Sequence, residues 1–388
     1  MIFYRCIVTS PVFLILLLLL PLPASGTALD NSGISHRGAL MGSAMSGLAD
    51  DPSAVFFNPA GMAGPQRETT WDIELGTGIN FSNYTYSRGS LKSKSNEVFP
   101  LPKMFVTKRI NDRWAAGFGV YTPFAGGGVT YDDFLHTGHE LSIRSSFTAL
   151  TPAVAYKIND QWAVGAGISG YYGRYDSKSF NAATAGLVET DYSGFAGYGA
   201  HASAMYRPGG PWSIGLTFRS PIHAELKGNV KIADREKESE LEADLPYYID
   251  LGIGYQKDRL KLGASFVWMA YADLDELKQT TSGVTTTTKT GYKDGYRISL
   301  GSEYQAAENF YVYTGARFFA SATKDEFLNP LSNDVDMLAL SGGVRFGVTG
   351  SLDLVMGYLH IWGFEKTVGM QKFDQDYDTV IFSIRQQF

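Results

Sequence analysis

Apolar and polar side chains alternate with a period of two residues along most of the chain after residue 70. Between Arg259 and Tyr271, one set of alternate positions is apolar throughout, and the other begins with the polar or small residues Arg259, Lys261, Gly263 and Ser265. The same alternation occurs from Tyr247 to Gln256 and from Gln161 to Tyr172. Because successive side chains of a strand point to opposite faces, each segment predicts a strand with one apolar face.

The connections between these segments alternate between short turns and long polar stretches, as is typical of outer-membrane β-barrels. Long polar connections are predicted at 87–99, 124–141, 176–190, 226–244, 272–290, 322–334 and 364–376. About fourteen strands result, an even number that lets an antiparallel barrel close. The predicted strands are 72–86, 101–110, 113–123, 142–158, 161–175, 191–206, 212–225, 245–256, 259–271, 291–305, 310–321, 335–347, 351–363 and 377–388.

In a membrane barrel the apolar face contacts lipid and the polar face lines the lumen. An unpaired backbone group in hydrocarbon costs several kcal/mol, so the sheet must close on itself. A lipid-facing arginine at mid-bilayer would cost about 2–4 kcal/mol, so the charged side chains of the strands should point inward. These residues are Asp250, Arg297, Glu303, Arg317, Arg345 and Arg385.

Composition favours a membrane barrel over a large soluble β sandwich, which would also alternate. Aromatic residues make up 14% of the chain and charged residues 19%, a balance expected where aromatic girdles flank an apolar band. Phe388 ends the last predicted strand, as fits the final strand of such a barrel. The net charge of -6 does not indicate a nucleic-acid partner.

The first 28 residues have the pattern of a secretory signal peptide. Arg5 precedes an apolar run from Ile7 to Leu20, and small residues follow, so we expect cleavage after Gly26 or Ala28. The run is shorter than the roughly 20 residues that a membrane-spanning helix requires. Cys6 is the single cysteine and lies in this segment, so we predict a mature chain without a thiol, a disulfide or a cysteine-bound metal.

Residues 29–70 lie between the signal peptide and the barrel, which we assign to 71–388. From Ile34 to Leu48, apolar side chains recur at helical spacing among Gly, Ala and Ser residues, which predicts a short helix ended by Asp50-Asp51-Pro52. We expect residues 29–70 to form a compact helical hatch inside the lumen. The alternative is a helical lead-in to an ordinary β domain.

An apolar pair and a turn motif follow the predicted helix. Phe56-Phe57 precedes Asn58-Pro59-Ala60-Gly61, where proline fixes φ and asparagine can hydrogen-bond nearby backbone, so we predict a tight turn. With this motif, the segment resembles the start of the FadL-type outer-membrane transporters. The other residues that carry the resemblance are Gly33-Ile34-Ser35, Gly38, Gly42-Ser43-Ala44, Gly47-Leu48-Ala49-Asp50-Asp51-Pro52-Ser53-Ala54 and Met62.

The resemblance implies an all-β outer-membrane protein, a barrel of about fourteen strands with an N-terminal hatch and neither catalytic residues nor cofactor. It implies passive uptake of long-chain fatty acids or aromatic hydrocarbons, which leave sideways through the barrel wall. In the family, an inward kink of the third strand makes that opening. Gly119 and Pro123 are the candidate kink residues here, because glycine and proline weaken strand pairing. The alternative is that the strand ends at Thr122.

Large apolar residues on the hatch and at predicted loop edges could line an apolar path for such a ligand. They are Phe56, Phe57, Met62, Phe99, Leu101, Phe124 and Phe134. Ordinary packing is the alternative for each of them. Among the inward cations, Arg317, Arg345 or Arg385 could bind a ligand carboxylate, although pairing with an inward Asp or Glu is the more common arrangement.

Three polar features are interpreted as parts of loops. His136, His139 and Glu140 have some metal-ligand character but fall in a predicted long connection, so we predict no metal site. The run from Asp234 to Asp244 is interpreted as a solvated extracellular segment, with a helix as one possible conformation, and Thr285 to Thr288 as loop. No local pattern pairs a nucleophile with a base, so an enzyme is not expected.

Two other functions remain as alternatives. A general diffusion porin would have a water-filled lumen, and a structural or adhesin barrel would act through its extracellular loops. The expected surroundings are outer-membrane lipid and lipopolysaccharide. The oligomeric state stays open, because lipid-facing and protein-facing strands have the same pattern.

Overall fold

The computed structural model describes residues 31, 33–64, 71–181, 186–232, 235–274 and 276–388. The predicted signal peptide and its cleavage positions lie outside these residues. Nineteen strands, numbered β1 to β19 in chain order, form one sheet within the described part.

Fourteen strands form a closed antiparallel barrel, in which successive barrel strands pair and β19 returns to pair with β1. This confirms the predicted architecture, and each predicted strand overlaps one barrel strand. The barrel strands are β1 (Trp71–Arg88), β2 (Leu91–Arg109), β3 (Trp114–Tyr131), β4 (Leu141–Lys157), β5 (Trp162–Asn181), β6 (Gly186–Tyr206), β7 (Trp212–Arg219), β10 (Tyr248–Lys257), β11 (Leu260–Met269), β14 (Gly295–Ala307), β15 (Phe310–Phe319), β16 (Met337–Gly347), β17 (Leu352–Gly363) and β19 (Gln371–Gln387).

The long connections lie at one end of the barrel, the long-loop end, and most contain further strand. Five shorter strands occur there: β8 (Ile222–Ile232), β9 (Arg235–Leu245), β12 (Glu276–Thr281), β13 (Val284–Lys289) and β18 (Lys366–Val368). The prediction of a long polar connection at 87–99 is wrong, because β1 and β2 continue as paired strands up to Arg88 opposite Leu91 and close a tight hairpin there. The opposite end carries short turns and is called the short-turn end.

The acidic run in the connection between the barrel strands β7 and β10 is a strand and not a helix. Residues 235–245 form β9, which pairs with β8 on one side and β12 on the other. Leu241, Ala243 and Leu245 are buried on one face of β9. Non-local pairing therefore outweighs the local helical tendency of this charged run, and the Thr-rich stretch likewise forms β13.

Side chains of the barrel strands alternate between lumen and lipid as predicted. Leu251 is 48% exposed on the outer face, whereas its neighbour Asp250 is 5% exposed inside. All six charged residues expected to face inward are buried or, for Arg345, nearly so. The cost of placing charge in hydrocarbon therefore decides the orientation of the strands.

Aromatic side chains form pairs on the outer face at the short-turn end. The ring centroids of Trp114 and Tyr156 lie 4.7 Å apart, and those of Trp162 and Tyr206 lie 4.5 Å apart. Such pairs are typical of the aromatic girdle at a membrane interface.

Residues 33–64, called the hatch segment, lie inside the barrel. The segment contains α1 (His36–Leu40), α2 (Ala54–Phe57) and a 3-10 helix (Pro59–Ala63). The predicted helix over 34–48 is wrong beyond Leu40, because Gly42 and Ser43 have left-handed backbone, with φ of 60° and 66°. None of the described helices is long and apolar enough to cross a membrane.

Glycines on the inner wall let the hatch backbone approach the barrel directly. A methyl group added at Gly215 would lie 1.9 Å from the carbonyl oxygen of Ser46, and one at Gly263 would lie 2.1 Å from that of Ala44. Similar close approaches occur along the hatch segment at Gly165, Gly252, Gly301 and Gly315. Since these glycines lie on six different strands, the hatch segment is fitted to much of the circumference.

A buried cluster of charges fastens the hatch segment to the wall. The Arg37 guanidinium donates to Glu303 on β14 (2.6 Å) and to Asp50 (2.5 Å) and Asp51 (2.9 Å) of the hatch segment. Lys261 on β11 donates to Asp50 (2.5 Å). Burial alone would raise the pKa of Asp50, but Arg37 and Lys261 outweigh it and hold that pKa well below its usual range.

Substituting Gly215→Ala should loosen the hatch, because the new methyl overlaps the Ser46 carbonyl and overpacking costs about 1–3 kcal/mol. We expect faster proteolysis of the hatch segment and a lower unfolding temperature. Gly342→Ala is the matched control, since its methyl would find its nearest atom 3.7 Å away. Equal protease resistance of the two variants would contradict the tight fit.

Substituting Arg37→Met should destabilise the protein by about 3–5 kcal/mol, because three carboxylates lose their buried partner. Thermal unfolding of the purified protein measures the loss. Arg113→Met, at an exposed turn, serves as the control. An Arg37→Met variant as stable as this control would show that the cluster does not hold the hatch.

Candidate functional site: a window between the second and third strands

The barrel wall is interrupted between β2 and β3. The two strands pair from Arg109 opposite Ala115 up to Met104 opposite Val120, and pairing stops there within the described residues 71–181. Beyond this point β2 remains paired with β1 as far as Leu91. β3 likewise remains paired with β4, so the interruption affects a single seam of the wall.

The seam closes again near the long-loop end through side chains of β2. The backbone N–H of Thr130 donates to the Ser95 hydroxyl (2.8 Å), and that of Leu135 donates to the Ser93 hydroxyl (2.7 Å). The opening therefore has both a lower and an upper limit. We call it the window; its edges are residues 96–103 of β2 and 121–129 of β3, a length of about 27 Å along β2 at about 3.4 Å per residue.

β3 bends where it borders the window. Its register with β4 shifts between Tyr121 and Phe124 and again between Ala125 and Gly127. Bulges of this kind bend a strand and increase its twist. The strand nevertheless continues to Tyr131, so the alternative that it ends at Thr122 is wrong.

The two candidate kink residues have different positions. Pro123 lies within the first register shift of β3. Gly119 lies lower, in regular pairing opposite Phe105 of β2 and Thr151 of β4. The bend therefore begins closer to the window than Gly119.

Open space lies on both sides of the window. Outside it is a groove of about 1150 Å³, and just inside it is a cavity of about 50 Å³. Four residues line both spaces and so form the partition between them: Phe99, Leu101, Gly126 and Gly127. Two glycines in this partition leave little side-chain bulk between the outer groove and the lumen.

Asn31 and the start of the hatch segment touch the inner side of the window. The backbone N–H of Asn31 donates to the carbonyl of Pro123 (2.9 Å). The Lys103 ammonium of β2 donates to the carbonyl of Gly33. The hatch segment and the bent strand are thus directly connected.

The predicted ligand-path residues fall into three groups. Phe99 and Leu101 line the window. Phe56 and Phe124 border a second, nearly closed cavity that also touches Pro123. The remaining predicted residues pack elsewhere: Phe57 and Met62 are buried side chains of the hatch segment itself, and Phe134 stacks on Tyr86.

The Asn58-Pro59-Ala60-Gly61 motif joins the hatch segment to the barrel. The Asn58 side chain donates to the carbonyls of Ser46 (3.0 Å) and of Ala204 on β6 (3.1 Å), and its oxygen accepts from Ala60 N–H (3.2 Å). A methyl at Gly61 would lie 2.2 Å from the Ala49 carbonyl oxygen. The predicted tight turn is a 3-10 helix, and the motif makes structural contacts that hold the hatch segment against the barrel.

The other predicted polar groups lie apart from the window. Arg345 pairs with Asp353 (3.2 Å) and Arg385 with Asp72 (2.6 Å), while Arg317 donates to the Ser43 hydroxyl (2.9 Å). His139 stacks on Phe180, and His136 pairs with Asp133. No group of three or more His, Cys, Asp or Glu side chains placed to hold a metal occurs in the described residues.

Sequence reasoning missed Pro100, Pro102 and Lys103 at the window. Pro102 lies in the predicted strand 101–110 and Pro100 directly precedes it, a visible signal because proline cannot donate to a strand ladder. Lys103 gave no such signal, since its importance comes from the hatch carbonyl that it contacts.

A family model described as outer membrane protein transport protein (OMPP1/FadL/TodX) matches residues 22–386. The long-chain fatty acid transport protein of Escherichia coli (strain K12) is 25% identical over 407 residues, covering 87% of this chain and 89% of the relative. The protein of the same description from Salmonella typhi is 24% identical over 397 residues, covering 87% and 88%.

Solved structures share the fold. A Pseudomonas aeruginosa FadL homologue has a TM-score of 0.82 at 20% identity, covering 93% of this chain and 100% of the other. The Pseudomonas putida toluene transporter TodX has a TM-score of 0.77 at 14% identity, covering 94% and 100%. With a family model that spans nearly the whole chain, this protein belongs to the FadL/TodX family of outer-membrane transport proteins and is an integral protein of the outer membrane.

Proposed function

We propose that the protein is a passive uptake channel for hydrophobic molecules, either long-chain fatty acids or aromatic hydrocarbons, that releases them into the bilayer through the window. The window itself is the observation that carries this proposal, because it is a bounded interruption of strand pairing with open space on both sides. The names of the relatives support the substrate class, since they describe long-chain fatty acid and toluene transport.

The chemistry of the window suits an apolar solute. The solute would reach the inner cavity from the lumen, pass Phe99 and Leu101, and partition into the hydrocarbon alongside β2. Release of this kind runs downhill, because apolar surface leaves water for lipid. An energy source is not required.

The hatch segment supports lateral release over straight passage. It is fitted against wall glycines and fastened by the Arg37 cluster, so a porin-like flow of polar solutes through the lumen is disfavoured. Its first residues are the exception, because the contact of Asn31 with Pro123 links them to the window. We propose that a solute in the inner cavity displaces these residues and so opens the path.

Lipopolysaccharide is the proposed neighbour of the outer groove. Arg144 of β4, and Arg174 and Lys178 of β5, line this groove at the long-loop side of the window. Their side chains are 45–63% exposed, so they can reach the phosphates of surrounding lipopolysaccharide.

Placing a bulky side chain in the window should block release. Gly127→Trp is expected to reduce uptake severalfold, because a side chain there extends into the gap beside Phe99. Gly170→Trp, on the lipid-facing side of β5, is the matched control. The measurement is uptake of a radiolabelled long-chain fatty acid, and separately of toluene, into outer-membrane vesicles.

The same assay separates the proposal from the porin alternative. Unimpaired uptake by Gly127→Trp would contradict release through the window. Rapid permeation of a small sugar through the wild-type protein would contradict the hydrophobic channel and favour a porin.

Lys103 should distinguish the two substrate classes. Its ammonium lies at the inner rim of the window, where it can attract a fatty-acid carboxylate but has little to offer toluene. We expect Lys103→Met to lower uptake of the fatty acid more than uptake of toluene. Lys108→Met, on the same strand but facing Trp71, is the control. Equal loss for both solutes would argue against recognition of a carboxylate at this position.

A further inference from the structure

Backbone N–H groups of β2 point alternately toward β1 and toward β3. Ile110, just after the end of β2, donates its N–H to the carbonyl of Trp114 on the β3 side (2.9 Å). Neighbouring residues of a strand face opposite partners, so even-numbered residues of β2 face β3. The start of β2 gives the same result. Arg88 and Leu91 flank a two-residue hairpin turn and form a hydrogen-bonded pair, so Leu91 and the other odd-numbered residues of β2 face β1.

Two prolines occupy even-numbered positions of β2 within the window. Pro100 lies opposite Ile79 of β1, and Pro102 lies opposite Thr77. The ladder between β1 and β2 passes through both positions without a register shift. That continuity is expected if both nitrogens face away from β1, because proline has no N–H to give to the ladder.

The pairing between β2 and β3 stops where the first of these prolines would have to donate. Continuing the register by one hydrogen-bonded pair would place Pro102 opposite Thr122. A second pair, on a β3 straightened through its register shift with β4, would place Pro100 opposite Phe124. Each pair would lack one of its two backbone hydrogen bonds, and the ring would crowd the approaching strand. The lower limit of the window therefore coincides with the loss of donors on β2.

β3 carries a complementary feature. Pro123 lies within the register shift between β3 and β4, and as a proline it has no N–H to give to that ladder. Its carbonyl accepts from Asn31 of the N-terminal segment. At Pro123 the bent strand thus has no ladder partner on β4 and is held from inside the barrel.

We propose that Pro100 and Pro102 keep the window open, because they remove the donors with which β2 would otherwise rebuild the wall. An edge in hydrocarbon is costly chiefly through its unpaired polar groups, and a strand edge with free N–H groups is a template for pairing. Two missing donors lower both the cost of leaving the edge unpaired and the gain from closing it. The prolines are positioning residues and need not touch the solute.

The test restores the donors. The double variant Pro100→Ala/Pro102→Ala is compared with wild type by hydrogen–deuterium exchange of amides 121–127 in nanodiscs. We expect about tenfold slower exchange at these amides, as two added backbone hydrogen bonds would give. Val98→Ala is the matched control, because it trims a side chain at the same edge and adds no donor.

The consequence for uptake rests on the proposed function and is measured separately. Fatty-acid or toluene uptake by the double variant should fall severalfold, while uptake by Val98→Ala stays near the wild-type rate. If wild type takes up neither solute, the proposed function fails, and the exchange experiment still decides whether the prolines keep the seam apart.

Unchanged exchange at 121–127 in a folded double variant would overturn the inference. Folding is judged by the heat-modifiable mobility of the barrel in a detergent gel. If the double variant does not fold, the single variants Pro100→Ala and Pro102→Ala are measured in the same way, and each should show part of the slowing.

Discussion

The structure depends on the need to satisfy every backbone hydrogen bond inside a hydrocarbon layer. Water is absent there to replace a lost partner, so an open sheet edge costs several kcal/mol for each unpaired group. Fourteen antiparallel strands that close on themselves meet this requirement around the barrel. The requirement is relaxed at the seam between β2 and β3, where prolines on both strands remove some of the groups that would otherwise be unpaired.

The hatch segment determines the direction of transport by filling the lumen. Its backbone approaches the wall closely where glycine replaces a side chain, and the Arg37 cluster binds it to β11 and β14. Removing the whole hatch segment from the lumen would break all of these contacts and is therefore costly in free energy. The start of this region, in contrast, touches the wall at the window through two contacts. Asn31 donates to Pro123, and Gly33 accepts from Lys103. A small displacement there requires far fewer broken contacts than removal of the whole plug, which is consistent with a sideways route.

Much of the barrel could be predicted from sequence, because lipid and lumen impose a strict period of two on every strand. The inward position of Asp250 and Arg297 follows from that rule alone. The conformation of β9 could not be predicted. It pairs with the neighbouring β8 and with β12, which comes much later in the sequence, and neither pairing is visible in the charge pattern of the run. The helix of the hatch segment ends earlier than predicted because Gly42 and Ser43 adopt left-handed backbone conformations. Gly42 does so in direct contact with the barrel wall, and the sequence alone does not reveal that contact. The functional meaning of Pro100 and Pro102 likewise required the pairing register.

Photo-crosslinking would test the central claim, which is that apolar solutes leave through the window. A diazirine-bearing long-chain fatty acid would be irradiated with outer-membrane vesicles that contain the intact protein, and labelled peptides would be mapped by mass spectrometry. The account predicts labels on residues 96–103 of β2 and 121–129 of β3, suppressed by excess unlabelled fatty acid. Labels confined to the cavity at the short-turn end, beside Arg37 and Lys261, would indicate passage through the lumen and contradict the account.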